Sequence, residues 1–189
     1  MKYLNLKGNI SQNIFTHLDV RKLFPEEKPA TIRAQLFRFA QRNLLTQIKR
    51  GLYCFDLTQI DELELAHHLY PLSYVSLETA LNYYGMLPDI PAVVTSITTT
   101  TTKNVSCAFG RYSFVKIKKE LYWGYLPVLL PHGNGYFPLA EKEKALLDFF
   151  YIRKVKQVRD LRLNLSDMNM ARYRHYAKQF PPWVETIHL

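Results

Sequence analysis

The chain has 189 residues, a formal charge of +9 from 25 Lys+Arg against 16 Asp+Glu, and side chains that are 48% apolar and 14% aromatic. Such a length suits one domain or two small ones with a real core, and the apolar content argues against disorder. The longest apolar runs, 145–147 and 149–152, are split by Asp148 and fall far short of the ~20 residues of a membrane span. Residues 1–20 lack the apolar stretch of a secretory signal, and two lone cysteines, Cys54 and Cys107, fit neither a disulfide framework nor a metal spacing. A cytoplasmic protein with a polyanionic partner and no membrane is the expectation.

The charge comes in blocks. Residues 1–56 carry +6, residues 57–102 contain no Lys or Arg and carry −5, and residues 103–189 carry +8. Two modules are expected, 1–57 and 68–189, joined by a short helical linker over 58–67.

Residues 19–24 read as a short helix entered by Thr16 or Asp19 and stopped by Pro25; a weaker helical signal lies around 8–12. Pro29 then suits the first turn of a helix running to about Asn43. Ile32, Leu36, Phe39 and Ala40 make its apolar face. Thr31, Ala34, Arg38 and Gln41 lie opposite, with Arg33, Gln35 and Arg42 on the flanks, and no acid occurs anywhere in the helix. Phe37, between the faces, is expected to pack on the segment that follows. There, Leu45, Ile48, Leu52 and Phe55 bracket Lys49-Arg50-Gly51, a hairpin with a basic tip.

Helix, turn, basic amphipathic helix and basic hairpin is the order of a winged helix-turn-helix. In that arrangement the second helix reads the major groove and the hairpin touches backbone. Arg38 suits guanine O6/N7, Gln35 or Gln41 suits adenine, Lys49 and Arg50 suit phosphates, and Thr31, Arg33 and Arg42 complete the expected DNA-binding set. A merely solvated basic helix with a hairpin is the competing reading.

In the second module, 74–85 reads as a helix with Ser76 as its cap and Gly85 just past its end. Strands are expected over 92–102, 111–118 and 121–126, a turn at 132–135, a helix over 140–153, and a last helix capped by Ser166 or Asp167 with Tyr173, Tyr176, Ala177 and Phe180 on one face. The whole is expected to be an α+β protein, an N-terminal winged helix followed by a small mixed α/β domain.

The segments Ser73-Tyr74-Val75-Ser76-Leu77-Glu78-Thr79-Ala80-Leu81 with Tyr84-Gly85, and Ala140-Glu141-Lys142-Glu143-Lys144-Ala145-Leu146-Leu147-Asp148 with Tyr151, together resemble the AbiEi family of antitoxins. Val94-Thr95-Ser96-Ile97-Thr98, Phe109-Gly110-Arg111-Tyr112-Ser113-Phe114 and Arg50-Gly51-Leu52-Tyr53 are similar to segments of the same family, so the resemblance spans about residues 13–180. One departure is Glu141-Lys142, where a helix-starting proline is expected. The resemblance implies a two-domain antitoxin of a type IV toxin–antitoxin pair. Its winged helix would repress its own operon at double-stranded operator DNA, at inverted repeats. Its C-terminal antitoxin domain would counteract a nucleotidyltransferase-like toxin in phage defence.

Catalytic chemistry, cofactor and metal are not expected. The chain has no Gly-Ser and no Asp-x-Asp, which a nucleotidyltransferase needs, so it resembles the antitoxin and not its enzymatic partner. His67-His68 point different ways on a helix, and 132–135 lacks the Lys-Ser/Thr of a phosphate loop. Glu78 and Asp148 read as helix caps or ion-pair partners. Arg111, Lys116, Lys118, Lys154 and Arg159 mark a second basic surface, with three readings: an antitoxin or other partner surface, an extra DNA contact, or a solvated exterior. A ligand-responsive regulator, with Tyr83, Tyr84, Tyr122, Trp123 and Tyr125 lining an effector pocket, is the alternative function.

Overall fold

Alternation of apolar side chains on very short strands decides how the two halves of this chain meet. The computed structural model describes residues 1–131, 135–158 and 161–187, so Arg159 and most of the 132–135 turn lie outside the described residues. The fold is mixed α+β, with eight α-helices and two sheets among the described residues.

The N-terminal unit runs α1 (Tyr3–Asn9), β1 (Ile14–Thr16), α2 (His17–Leu23), α3 (Pro29–Gln41), β2 (Thr46–Lys49) and β3 (Leu52–Cys54). The weak helical signal near 8–12 falls earlier, in α1. Thr16 starts α2 with a capping box: its hydroxyl accepts from Asp19 N at 3.2 Å while Asp19 Oδ2 accepts from Thr16 N at 2.9 Å. Asn43, at φ +54, ends the α3 turn in the left-handed region that asparagine tolerates. The strands form an antiparallel sheet ordered β1-β3-β2.

Both faces of that sheet are covered. Phe15 and Tyr53 point into a small core with Leu6, Val20, Ile32, Leu36 and Leu45. Ile14, Leu52 and Cys54, on the other face, belong to the large core of the second unit. The period of two thus assigns neighbouring residues to different cores.

The second unit continues with a 3-10 turn at Leu57–Gln59, α4 (Glu62–Leu69), β4 (Ser73–Val75), α5 (Leu77–Tyr83), β5 (Val94–Thr98), β6 (Lys103–Cys107) and β7 (Gly110–Lys116). It ends with β8 (Tyr125–Leu129), β9 (Tyr136–Ala140), α6 (Lys142–Arg153), α7 (Met170–Ala177) and α8 (Pro182–Glu185). The strands make one sheet ordered β6-β7-β5-β4-β9-β8, parallel at β5/β7 and β4/β9 and antiparallel elsewhere. The segment expected to be a linker holds most of α4, whose Leu63, Leu65, Ala66 and Leu69 are buried in the large core.

Several boundaries differ from the expectation for physical reasons. Tyr74 and Val75 are strand, because the chain turns sharply at Leu77, the first residue of α5, at φ +58. The tract expected as one strand over 92–102 ends at Thr98. Beyond it the threonines make a turn, with Thr98 Oγ1 donating to Leu72 O at 2.7 Å, and β6 starts afresh at Lys103. Leu121 closes a 3-10 turn, and Gly124 at φ +72 redirects the chain into β8. Ser166 and Asp167 lie in a turn, and Asn169 caps α7 by accepting from Arg172 N at 3.0 Å.

The two sheet edges are guarded differently. In β8, Leu130 N donates to Gly135 O opposite it, so residues 126 and 128 face β9 while 125, 127 and 129 face open space. Pro127 therefore removes an N–H from the free edge, and Lys103 charges the edge strand β6 at the other end.

Candidate nucleic-acid interface

α3 divides its residues as its wheel dictates. Ile32 and Leu36 are buried, Phe39 and Ala40 are half-buried against the small core, and Thr31, Arg33, Arg38, Gln41 and Arg42 are exposed. Gln35 is half-buried, with Oε1 shut in and lacking a partner among the described residues, so its amide carbonyl turns toward the protein. Phe37 is 54% exposed; it follows Leu36 by one residue, ~100° around the helix from the buried stripe. Lys28 precedes α3 without a side-chain cap, and the first turn holds no acid, so the positive end of the helix dipole is not neutralised locally.

Beside α3 lies the β2–β3 hairpin. Its tip needs glycine: Gly51 has φ +82, and a Cβ there would stand 2.9 Å from His17 Nδ1. His17 N donates to the Gly51 carbonyl at 3.1 Å, fixing the tip to the start of α2. Lys49 Nζ donates to Leu69 O at 2.7 Å, and burial, followed by the charge of Lys103, holds this ammonium below the ordinary lysine value. Arg50 is exposed. Among the described residues, none of Arg33, Arg38, Arg42 and Arg50 pairs with a carboxylate. Lys103, which sequence reasoning did not single out, is close enough in space to act on Lys49.

The second basic group is not gathered in one place. Arg111 and Lys116 are five residues apart on β7, hence on opposite faces. Lys118 leads into the 3-10 turn, and Lys154 ends α6 at φ +54; all four are exposed. The aromatic residues considered for an effector pocket are divided between two packings. Tyr122 and Tyr125 pack on Tyr74 at ring distances of 5.2 and 4.5 Å, whereas Trp123 packs on Tyr176 at 4.8 Å. Tyr84 donates to Ala140 O at 2.9 Å, and Tyr83 is 49% exposed.

A buried polar cluster lies beneath the second sheet. Asp148 is fully buried, pairs with Lys144 one helical turn away, and accepts from Tyr74 Oη and Ser76 Oγ at 2.9 Å each. Ser76 stands at the cap position of α5, but its hydroxyl goes to Asp148 and not to the helix. Lys144 also donates to Tyr74 Oη at 2.9 Å, and its ammonium lies 5.1 to 5.4 Å from the ring centroids of Trp123, Phe180 and Tyr74. Burial pushes the Asp148 carboxyl up and the Lys144 ammonium down, each against the attraction of the other. With every group partnered and no access from solvent, this cluster ties β4 to α6. The signal in the sequence was the i,i+4 Lys–Asp spacing inside an apolar helix. Glu78 is likewise an ion-pair partner, taking Arg153 Nε and Nη2 at 2.6 and 2.9 Å.

Among the described residues, no group of three or more His, Cys, Asp and Glu is placed to hold a metal ion. Burial, then Asp56, pushes the Cys54 thiol up to about 11, which suits an inert core cysteine. No described helix is long and apolar enough to cross a membrane. A scan against protein-family models and a search of curated proteins returned no match to this chain.

Proposed function

We propose that the N-terminal unit is a winged helix-turn-helix and that the protein is a DNA-binding antitoxin of the AbiEi type. One observation carries the reading: the outward face of α3 presents Thr31, Arg33, Arg38, Gln41 and Arg42 with no acid in the helix, beside a hairpin tip that presents Arg50. A face of this kind attracts phosphates along its whole length and holds side chains that can pair with base edges. α3 would lie in the major groove and β2–β3 along the backbone. The antitoxin half of the reading rests on the resemblance of residues 73–85 and 140–151. On it the protein is a cytoplasmic, non-enzymatic repressor of its own operon that counteracts a nucleotidyltransferase-like toxin.

The test uses the full chain and the DNA upstream of its own gene, in fluorescence anisotropy across a salt series. Tight binding to that DNA over a scrambled duplex, falling steeply as salt rises, is the expected result. Absence of binding at low salt removes the DNA reading. Co-expression with the neighbouring gene tests the rest: failure to rescue growth from a toxic neighbour removes the antitoxin assignment.

A further inference from the structure

α3 carries two phenylalanines two residues apart, and their surroundings are opposite. Phe39 is half-buried, with the Tyr3 ring against it edge-on at 5.6 Å. Phe37 is 54% exposed. Two residues turn an α-helix by about 200°, so a helix that sets Phe39 on the small core aims Phe37 away from it. A partner that covered this ring would gain the ordinary hydrophobic contribution of an aromatic side chain.

The neighbours of Phe37 narrow what that partner is. Ala30, Ala34, Phe37 and Gln41 are all exposed and fall within about 60° of one another on the helical wheel, along the middle of the outward face. Arg33 stands one turn before Phe37 and Arg38 directly follows it, and neither pairs with a carboxylate among the described residues. A wholly apolar partner would bury these guanidinium groups without counter-charges, at a cost that the ring alone does not offset. The face therefore calls for a polyanion that also offers an apolar group. Duplex DNA is such a ligand, because the C5-methyl of thymine is the apolar group that a base pair presents in the major groove. Duplex RNA is not, since its major groove is too deep and narrow for side chains to read.

We propose that Phe37 is a specificity-determining residue that packs its ring on the C5-methyl of a thymine in the operator. The proposal rests on the DNA-binding reading above and adds to its hydrogen-bonding residues one that discriminates by apolar contact. Phe37 carries no charge, so it contributes to base preference and not to the attraction for phosphates.

The experiment is fluorescence anisotropy of the full chain on two duplexes of the DNA upstream of its own gene. One is natural, and in the other every thymine is replaced by uracil, which pairs in the same way and lacks only the methyl. The unaltered chain is expected to bind the uracil duplex about fourfold more weakly or worse, as the burial of one methyl-sized group implies. Phe37→Ala, which puts a good helix former at an exposed position, should bring the two duplexes to within about twofold of one another by weakening the natural one. Phe37→Leu, still long and apolar, should restore most of the difference. The salt slope should be the same in all three proteins. Equal affinity of the unaltered chain for both duplexes, or an undiminished difference in Phe37→Ala, overturns the role of Phe37 and leaves DNA binding standing. No binding of the natural duplex at low salt removes the DNA reading and this proposal with it.

Discussion

Lys49 Nζ donates to the carbonyl of Leu69 at 2.7 Å, joining the hairpin to the last residue of α4. That carbonyl is one of the acceptors a helix leaves unsatisfied at its C-terminal end. The next residue, Tyr70, places its hydroxyl on the Thr100 side chain and the Thr101 carbonyl, so a short run of chain links the hairpin to the turn before β6. Lys49 thus has a structural partner, while Arg50, one residue further, pairs with no carboxylate among the described residues.

The two tip residues should separate in experiment. Arg50→Ala is expected to weaken operator and scrambled DNA alike and to reduce the salt slope by about 1. Arg38→Ala should relax sequence preference instead. Lys49→Ala should also lower folding stability by about 1 kcal/mol, read by urea unfolding, through the loss of one charge-assisted bond. Arg50→Ala binding as tightly as the unaltered chain at every salt concentration would remove the hairpin from the interface.

Lys144 and Asp148 should behave as a unit. Asp148→Asn or Lys144→Met alone leaves a buried charge without its partner and is expected to cost about 3–5 kcal/mol. The double change Lys144→Met with Asp148→Leu should recover much of that loss, because desolvation of two charges disappears with the pair. A double-mutant cycle in chemical denaturation measures this; strictly additive losses would contradict it.

Acid should act on His67 before it reaches the carboxylates. Burial, then the charge of His68, lowers its ring from 6.5 to about 4, and among the described residues Nδ1, shut in, has no partner. Between those values the unfolded chain takes up a proton that the folded chain refuses. This contribution to stability is therefore complete above pH 6.5, falls as pH drops to about 4, and is flat below. His67→Phe, which can still pack on Tyr136, should flatten thermal stability across that window, and an unchanged slope would refute the assignment.

Pro127 should keep the second sheet from growing. Pro127→Thr restores an N–H on the open side of β8, where Leu126 and Leu129 are already 59% and 73% exposed. Concentration-dependent self-association by light scattering is the expected outcome, whereas the unaltered chain should show none through this edge. A variant with the same scattering as the parent would show that the edge is protected in another way.

The N-terminal elements were legible because their signals are local. Pro29, the Ile32–Leu36–Phe39–Ala40 stripe and the Lys49-Arg50-Gly51 turn each specify geometry within a few residues. β1 and β4 were not seen, since three residues are too few for alternation to register and their pairing partners lie about 40 and 22 residues away. β6 hid behind its composition: as an edge strand it exposes Lys103, Asn104 and Ser106 and lacks an apolar rhythm. Pro138 disguised β9, where a proline survives because the strand meets β4 at a single bridging pair.

The two-faced sheet also bears on how such a protein can change over evolutionary time. Ile14, Leu52 and Cys54 belong to the core of the second unit although they lie in strands of the first. A recombination event that exchanged residues 1–57 for the corresponding unit of another protein would import three foreign side chains into a packed interior. Only donors with matching volumes at those positions would yield a folded chimera. On the proposed DNA-binding reading, specificity would therefore be altered more readily by point substitution on the outer face of α3 than by wholesale replacement of the first unit.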